Sequence, residues 1–526
     1  MKHYLNFEKM DFVFGDALKA LHKYKYSAFN VMVFLCAGSL KLFAQDKPKP
    51  NVVFIISDDL NTHLGTYGDM QVISPNIDAL ANQGIRFDRA YCNFPLSLPS
   101  RSSFLTGIRP ERTKVVGNRG NFRDALPHAV TLPRFFHDNG YVSASAGKVL
   151  YPPGQDDIMS WDMKLADFKD VNPQSPTGSW GDLLILQPDG SRRLFTFSDI
   201  DGLMDPQREA IRMLPSHQPG EKVHFWGPSE VSDDQMPDGQ IAAAACNFLE
   251  QHGKEPFFLA IGLMKPHVQF VAPKKYFDLY PIESMPKPDF FAYPEFVNLD
   301  IGLQNASKNL GPYRRLPSDM AQRAIRSYYA CISFMDAQVG MVLDKLKELH
   351  LDKNTIVVFI GDNGHLLGNH GWGKPTLYEG DVRVPLIVSA PGFTKPGSAT
   401  SQLVEFVDIY PTLAELCGLP SPVGVDGVSF VPLIKDPNHF WKEAVFSCIN
   451  NQRMVRTAKY KYTLVTGSGE EQLFNVDADP LEMKNLAKDA AMKDVLESHR
   501  AILAKQLIKE DEAIKKDLVA SSQKTK

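Results

Sequence analysis

Two apolar segments, each ending within one residue of a pair of oxygen-bearing side chains, constrain the fold of this chain more than any other feature. The first segment, residues 51–57, runs into Asp58 and Asp59, and the second, Thr-Ile-Val-Val-Phe-Ile, is followed closely by Asp362 and Asn363. Continuous apolar runs of this length are typical of strands buried on both faces of a parallel sheet. Because parallel strands end at one edge, where open α/β sheets place their sites, we expect these four side chains to lie close together.

The chemistry of these side chains indicates a metal site. Carboxylate and amide oxygens without histidine or cysteine favour Ca²⁺ or Mg²⁺ over zinc or copper. A helix N-cap is the alternative for the adjacent pair Asp58 and Asp59. A matching pair far along the chain is harder to explain as a second, unrelated cap, so we predict a hard-cation site.

A run of small hydroxyl residues around a proline and an arginine lies between the two segments, at residues 97–107. Pro99 is favourable in the first turn of a helix, because its missing N–H would have no partner there. Arg101 offers a fixed fork of donors for an anionic oxygen. Ser97 is therefore a candidate nucleophile at a helix N-terminus, where the backbone favours negative charge. The short Ser-x-Pro-x-Arg pattern also occurs by chance, and a plain turn before a helix is the alternative.

Two further predicted strands end in basic residues that the fold would bring to the same edge. The strand at 141–146 is followed by a Gly-Lys pair that includes Lys148, and the strand at 257–263 by a Lys-Pro-His run that ends at His267. A glycine-rich loop carries Lys374. Lone lysines are usually solvated, and a histidine is often a satisfied structural group, so these are the alternatives.

The overall pattern predicts an α/β fold with a large, mixed but mostly parallel sheet flanked by helices. A smaller antiparallel sheet and a charged helix follow, so we place a catalytic domain at 45–438 and a C-terminal α+β subdomain at 439–526. The segments 152–235 and 281–317 read as long irregular insertions, which are usually functional. The predicted helices are 75–83, 132–138, 238–251, 318–350, 406–416 and 488–516.

The N-terminus predicts a signal peptide over residues 1–44. A lysine-rich stretch precedes a largely apolar run at 28–40, and Ala44 marks a cleavage site. That run is short for a membrane span, so we expect an exported, periplasmic protein, with a lipoprotein anchored at Cys36 as the alternative. The net charge of −4 gives no reason to expect nucleic acid or an anionic membrane as a partner.

These motifs, in this order, resemble the type I sulfatases of the alkaline phosphatase superfamily, over nearly all of the exported chain. In that family the first residue of the signature is oxidised to formylglycine, which implies that Ser97 is a precursor and its hydrated aldehyde the nucleophile. The serine form resembles the bacterial type, which implies a radical-SAM maturase as a partner. The matching motifs lie at residues 58–59, 97–107, 147–148, 265–267, 362–364, 374 and 473–480.

The resemblance implies a set of calcium ligands at the predicted edge. They are the two oxygen-bearing pairs together with the matured residue 97, namely Asp58, Asp59, Asp362, Asn363 and Ser97. One Ca²⁺ held there would offset the charge that develops on the sulfate oxygens.

It also implies four residues that handle the substrate. Arg101 would hold the formylglycine diol, and Lys148 and Lys374 would grip the sulfate oxygens. His267 would hydrogen-bond the sulfate or protonate the leaving oxygen, with Lys374 as the second candidate for the acid. A sugar alkoxide leaves poorly without a proton, so a general acid is required nearby.

Within that family the chain looks most like the iduronate-2-sulfatases, although Tyr151 and Asn363 stand where those enzymes have histidine. The resemblance implies a sulfatase for sulfated polysaccharides or oligosaccharides, such as ulvan-like algal polysaccharide or glycosaminoglycan, including uronate 2-O-sulfates. Side chains that either line the substrate pocket or are ordinary surface groups are Tyr151, His365, His370 and Arg453.

Two other functions stay open from the sequence. A phosphodiesterase or phosphonate monoester hydrolase uses the same scaffold, although the run around Ser97 argues against it. A non-catalytic protein that binds sulfated glycans would result if Ser97 is never oxidised, although the intact set of lysines, histidine and aspartates argues against that reading.

Overall fold

A central sheet organises the part of the chain that the structure, a computed structural model, describes. The predicted signal peptide at 1–44 and Tyr151 lie outside the described residues. The described ranges are 49–150, 157–166, 183–186, 192–195, 222–268, 270–287, 318–367, 370 and 374–524.

The strands in the described ranges form one large sheet and two smaller ones. In chain order they are β1 (Asn51–Asp58), β2 (Ile85–Tyr91), β3 (Val142–Gly147), β4 (Met163–Leu165), β5 (Leu183–Leu186), β6 (Arg192–Phe195), β7 (Lys222–Ser229), β8 (Phe257–Pro266), β9 (Phe270–Pro273), β10 (Thr355–Gly361), β11 (Leu386–Ser389), β12 (Ser398–Glu405), β13 (Ala444–Ile449), β14 (Gln452–Thr457), β15 (Tyr460–Val465) and β16 (Glu470–Asn475). The large sheet has eight strands in the order β12-β2-β11-β10-β1-β8-β3-β4. In it β11 runs antiparallel to both neighbours, and the other pairs are parallel. The predicted mixed, mostly parallel sheet is confirmed.

The carboxyl ends of the three central strands lie level with one another. Ser57 in β1 pairs with Gly361 in β10, and Asp58 pairs with Pro266 in β8. Because these strands are parallel, the residues that follow them emerge at one edge of the sheet. Segments far apart in sequence are thereby brought to a common place.

Helices cover the two faces of the sheet, since the side chains of β1 alternate between two cores. Ile55 packs in the core that includes Tyr328, and Phe54 packs edge-on against Phe104 in the other. None of the described helices is both long enough and apolar enough to cross a membrane. The helices are α1 (Pro75–Gln83), α2 (Ser97–Thr106), α3 (Pro110–Thr113), α4 (Phe122–Ala125), α5 (Leu132–Asp138), α6 (Pro237–His252), α7 (Lys274–Phe277), α8 (Ser318–Glu348), α9 (Glu379–Val382), α10 (Ile409–Leu416), α11 (Val431–Lys435) and α12 (Lys493–Lys524).

Helix α2 begins at Ser97, as the sequence predicts, and is buried along its whole length. Pro99 lies in its first turn, where the missing N–H costs nothing. The helix ends at Gly107, whose φ of 69° is left-handed and suits a residue without a Cβ. Most polar side chains of a helix this deeply buried find partners inside the protein, and those contacts shape the site below.

The C-terminal part forms a separate sheet in which β13, β14, β15 and β16 are antiparallel neighbours. Leu496 and Leu503 of α12 pack with this sheet in one apolar cluster. The predicted smaller antiparallel sheet with a helix is confirmed. The domain boundary between residues 438 and 439 stays a prediction.

The segment 152–235, expected to be irregular, contains strands, so that expectation was wrong in part. β4 extends the large sheet, while β5, β6 and β7 form the third sheet together with β9. β4, β5 and β6 have only three or four residues, too few for an alternation of apolar and polar side chains to be visible in the sequence, whereas β7 has eight.

Candidate active site

The side chains predicted for the sheet edge come together around Ser97. Its hydroxyl donates a hydrogen bond to Asp58 Oδ1 at 2.9 Å and lies 3.5 Å from Asn363 Oδ1. These three buried residues come from the first turn of α2, the end of β1 and the turn after β10. We call the whole group the strand-end cluster, which comprises Asp58, Asp59, Ser97, Arg101, Lys148, His267, Asp362, Asn363 and Lys374.

Two lysines contact the adjacent aspartates of this cluster. The ammonium group of Lys148 bonds Asp58 Oδ2, and that of Lys374 bonds Asp59 Oδ1. Burial alone would raise the pKa of both carboxyls, but these ammonium groups and His267 outweigh it and lower both pKa values. Both aspartates are therefore ionised at neutral pH.

Arg101 is fully buried, and its guanidinium group bonds to groups inside the protein. Its Nε donates to Asp362 Oδ2 at 2.7 Å, and its Nη2 lies 3.6 Å from Asp58 Oδ1. Its Nη1 donates to the carbonyls of Lys148 and, at 3.0 Å, of Val149. Arg101 thus ties α2 to the ends of β1, β3 and β10, while its predicted contact with the oxidised nucleophile stays a prediction.

The second oxygen-bearing pair is bonded directly to the first. Asp362 Oδ1 accepts the backbone N–H of Asp59 at 3.0 Å and of Asn363 at 2.8 Å. Asn363 Nδ2 donates to Asp59 Oδ1 at 2.8 Å, which leaves its Oδ1 on the side of the Ser97 hydroxyl. Burial, aided by the neighbouring aspartates and opposed by Arg101, raises the pKa of Asp362 to about 6.

His267 forms the more open side of the cluster, with 30% of its side chain exposed. Its Nε2 lies 3.8 Å from Asp59 Oδ2, and its Nδ1 contacts the carbonyl of Val268. Burial lowers the pKa of His267 against the opposing pull of Asp59 and Asp58. The ring is therefore neutral at neutral pH, with its proton on the nitrogen that faces the carbonyl.

A hard divalent cation fits this set of donors. Asp59 Oδ2 is buried, and among the described residues it has no hydrogen-bond partner. Ligand atoms of Asp58, Asp59 and His267 lie within 4.8 Å of one another. An unpaired buried carboxylate oxygen is costly, and a cation would relieve that cost. Asp58 and Asp59 can hold such an ion, whereas the roles of Asp362, Asn363 and the matured residue 97 as further ligands, and the identity of the ion as Ca²⁺, stay predictions.

The structure does not bring all the candidate pocket residues to this edge. His365 is buried against the rings of Phe270 and Tyr328, and burial lowers its pKa to about 3. His370 stacks on Tyr378 with ring centroids 3.8 Å apart. Its Nε2 lies 2.7 Å from the carbonyl of Leu481 in the C-terminal part of the chain.

Arg453 lies in the C-terminal sheet, on β14, where its Nε is 3.7 Å from a carboxylate oxygen of Glu111. Its Nη1 donates to the backbone carbonyls of Asn450 and Gln452 at 2.9 and 2.8 Å. The predicted role of Arg453 in the substrate pocket has no support from these contacts. Tyr151, the remaining candidate, lies outside the described residues.

Two residues beside the cluster escape prediction from the sequence. The hydroxyl of Tyr328 donates to the Asp59 carbonyl at 2.7 Å and accepts the N–H of Asn61 at 3.2 Å. Its helical spacing predicts only core packing, so nothing in the sequence marks the hydroxyl. Asn118 Oδ1 accepts the N–H of Leu98, next to Ser97, at 3.2 Å, and its loop carries no motif.

Known proteins resemble this chain in sequence and in fold. Residues 50–419 match the family model described as Sulfatase, and residues 368–510 match that described as N-sulphoglucosamine sulphohydrolase, C-terminal. A protein named Sulfatase from Formosa agariphila is 31% identical over 483 residues, which cover 88% of each chain. Iduronate 2-sulfatase from Mus musculus is 30% identical over 547 residues, covering 86% of this chain and 93% of that one. The solved phosphonate monoester hydrolase of Agrobacterium radiobacter has a similar fold, with a TM-score of 0.69 and 20% identity over 88% of this chain and 96% of its own.

Proposed function

Because the chain belongs to the sulfatase family, and is thus a sulfuric ester hydrolase, we propose that it is an exported carbohydrate sulfatase whose Ser97 is oxidised to formylglycine. The observation that carries the proposal is the strand-end cluster itself. The Ser97 hydroxyl lies within hydrogen-bonding distance of an ionised aspartate, which also bonds the buried ammonium group of Lys148. The partly buried ammonium group of Lys374 bonds the adjacent Asp59. An ordinary serine hydroxyl is a weak nucleophile, and the resemblance of residues 97–107 to the sulfatase signature is what supports its oxidation.

Addition of water to the formylglycine aldehyde would give the geminal diol that acts as nucleophile, and a divalent cation held by the four oxygen ligands would supply positive charge beside it. Asp58 accepts the hydrogen bond of the residue-97 side chain and is the group that would take up its proton. Arg101 fixes the carboxylates of Asp58 and Asp362 relative to α2, so the nucleophile is oriented before the substrate arrives.

Lys148 and Lys374 are proposed to bind the sulfate oxygens. Each holds its ammonium group against one aspartate of the cluster, so positive charge is fixed in a site from which water is largely excluded. Charge arranged in this way stabilises a developing anion without reorganisation. The same lysines would keep the buried aspartates ionised while the substrate is absent.

His267 is the proposed general acid for the leaving sugar oxygen. Its Nδ1 contacts a backbone carbonyl, which fixes the ring and leaves Nε2 directed toward the aspartates. The pKa of His267 is lowered by burial, and an anionic sulfate ester bound nearby would raise it. Protonation of Nε2 would thus be coupled to substrate binding.

We propose uronate 2-O-sulfates as the first substrates to test, in glycosaminoglycan or ulvan-like algal fragments. The similarity to the relative named Iduronate 2-sulfatase supports this choice, since it covers most of both chains. Export to the periplasm through the predicted leader at 1–44, Ca²⁺ as the bound ion and a radical-SAM maturase belong to the same proposal.

The test is peptide mass spectrometry across Ser97 on protein co-expressed with the maturase, followed by sulfate-release assays. Oxidation of CH₂OH to CHO lowers the residue mass by two hydrogens, about 2 Da. We expect that mass change together with sulfate release from 2-sulfated uronate oligosaccharides, and neither with Ser97→Ala. Unmodified serine despite an active maturase would favour a glycan-binding protein, and faster cleavage of phosphodiesters or phosphonate monoesters than of sulfates would favour the other hydrolase class.

A further inference from the structure

We propose that the C-terminal sheet positions Lys374, and that the buried pair Lys461 and Glu482 makes the connection. The inference rests on the proposed function, in which Lys374 binds the sulfate group. We call residues 374–382 the Lys374 segment. It joins the strand-end cluster at one end and touches the C-terminal sheet along its middle.

The Lys374 segment is a stiff unit coupled to the turn after β10. Thr376 donates both its backbone N–H and its hydroxyl to Asp381 Oδ2, each at 2.7 Å, which closes a tight loop. The N–H of Gly364 donates to the carbonyl of Asp381 at 2.8 Å. The two backbones lie so close that a Cβ at Gly364 would meet the carbonyl oxygen of Gly380 at 2.0 Å. A displacement of this unit would therefore move Lys374 relative to the oxygen ligands.

Three consecutive residues in the middle of the segment are held from the C-terminal side. Lys461 of β15 donates from Nζ to the carbonyl of Leu377 at 2.7 Å. The ring of Tyr378 packs against an aromatic ring of β16, with centroids 6.1 Å apart. The backbone N–H of Glu379 donates to Glu482 Oε2 at 2.6 Å. These contacts fix the backbone on both sides of a single residue.

The ion pair between Lys461 and Glu482 is expected to add little to the stability of the fold. The two side chains contact each other and are only 1% and 2% exposed, so both charges have lost their hydration. Apolar residues of similar volume often stabilise a core as well as such a pair does. What apolar residues cannot provide is a donor and an acceptor aimed at two backbone groups, here those of Leu377 and Glu379. Glu482 also adopts a φ of 56°, a conformation uncommon for a residue with a Cβ.

A buried ion pair could equally be a general brace for the fold, and the chain offers a matched control. Glu405 is as deeply buried as Glu482 and also pairs with a lysine, Lys442, at 2.8 Å. Its other partners include Arg109 and Asn93, and neither these nor Lys442 belong to the Lys374 segment. Glu405→Gln therefore perturbs a comparable pair without touching the segment.

The experiment compares Glu482→Gln with Glu405→Gln in the full-length, matured protein. Both variants are expected to lower the melting temperature. Glu482→Gln should lower kcat/KM for the sulfate ester by about 10- to 100-fold, the scale of a small misplacement of a catalytic group. It should also weaken inhibition by inorganic sulfate, while Glu405→Gln stays within twofold of wild type in both measurements. Equal activity loss in the two variants at matched thermal destabilisation overturns the proposal.

Hydrogen exchange separates this proposal from the proposed function. Amides of residues 374–382 should exchange faster in Glu482→Gln than in Glu405→Gln, whether or not any sulfate ester is hydrolysed. Equal exchange overturns the positioning role, whereas a wild-type protein that cleaves no sulfate overturns only the function. Should Glu482→Gln fail to fold, Lys461→Arg keeps the charge but not the geometry toward Leu377. Faster exchange in that variant supports the proposal, and wild-type exchange overturns it.

Discussion

Two buried groups of charged side chains in this molecule differ in how completely their oxygens are bonded. The Glu405 cluster consists of Glu405, Asp408, Arg109 and Lys442. Glu405 bonds Arg109 at 2.6 Å and Lys442 at 2.8 Å through Oε1, while its Oε2 accepts from Asn93 at 3.0 Å. Both oxygens of Asp408 also bond Lys442, at 2.8 and 2.7 Å. Every carboxylate oxygen in this cluster has a partner.

The strand-end cluster is buried to a similar degree but is not saturated. Asp59 Oδ2 has no hydrogen bond within the described chain, and its neighbour His267 lies 3.8 Å away. One side of the cluster is open, through the partly exposed histidine ring. The comparison teaches that a saturated set of buried charges holds the fold together, whereas an unsaturated set keeps capacity for a ligand.

The largest contrast is expected from removing the nucleophile. Ser97→Ala should reduce sulfate release by more than about 10⁴-fold, because no other described group would take over the attack. The melting temperature should change little, since one hydrogen bond to Asp58 is lost. Ser102→Ala in the same helix is the control, because the Ser102 hydroxyl is buried and has no partner among described residues. Comparable activity in the two variants would refute the assignment of Ser97.

Disrupting the saturated Glu405 cluster should have the opposite effect, a loss of stability with little change in activity. Lys442→Met leaves Glu405 and Asp408 without their shared cation, and should lower the free energy of unfolding by about 3–5 kcal/mol. Because this cluster lacks a free oxygen, kcat at a temperature well below unfolding should stay within twofold of wild type. Urea unfolding and steady-state kinetics on the same preparation check both parts. A decrease in kcat of more than tenfold would contradict the view that the Glu405 cluster stabilises the fold without serving the reaction.

A divalent cation should stabilise the unsaturated cluster alone. Ca²⁺ at one hundred times its dissociation constant should raise the free energy of unfolding by about 2.7 kcal/mol. Thermal unfolding with Ca²⁺ and with a chelator measures the difference. Asp59→Asn should abolish most of the gain, and Glu405→Gln should retain it. If Ca²⁺ still stabilised the Asp59→Asn variant, the ion would have to bind at another site.

The smallest expected effect is the pH dependence of stability that Glu405 contributes in the saturated cluster. Burial would raise the pKa of Glu405, but Arg109 and Lys442 lower it to about 2. A depressed folded-state pKa gives stability that is present above the unfolded value near 4.5 and is lost as the pH falls toward 2. Between pH 7 and pH 4 the stability gap between wild type and Glu405→Gln should narrow by about 1 kcal/mol. A gap that widens over this range would contradict the sign of the shift.

The sequence predicts that these side chains meet at one edge of the sheet, because the signal for their positions is local. Each apolar run predicts a strand and marks the polar residues that follow it. Because the strands are parallel, those residues emerge at the same edge of the sheet. Asp58, Asn363 and the first turn of α2 meet for this reason. The mostly parallel sheet follows from the same runs, although the reversed direction of β11 depends on a pairing that no local pattern encodes.

The parts that the sequence does not predict are tertiary contacts between ordinary-looking residues. Lys461 and Glu482 lie in polar stretches where a solvated surface is the default expectation, yet both are buried. Tyr328 follows the helical spacing of a core residue, and only the fold directs its hydroxyl to Asp59. His365 lies two residues beyond Asn363, but it packs against aromatic rings instead of lining the open side.

The position of β1 has a consequence for synthesis. β1 is made first among the described strands, yet its neighbours in the sheet are β8 and β10, which begin at Phe257 and Thr355. At typical translation rates about 15–60 s separate the appearance of β1 from that of β10. Throughout that interval an apolar strand has at least one unpaired edge, the condition under which nascent chains associate with one another. The site is assembled from segments that are far apart in the sequence. The growing chain must therefore be protected from association with other chains until its second half has emerged.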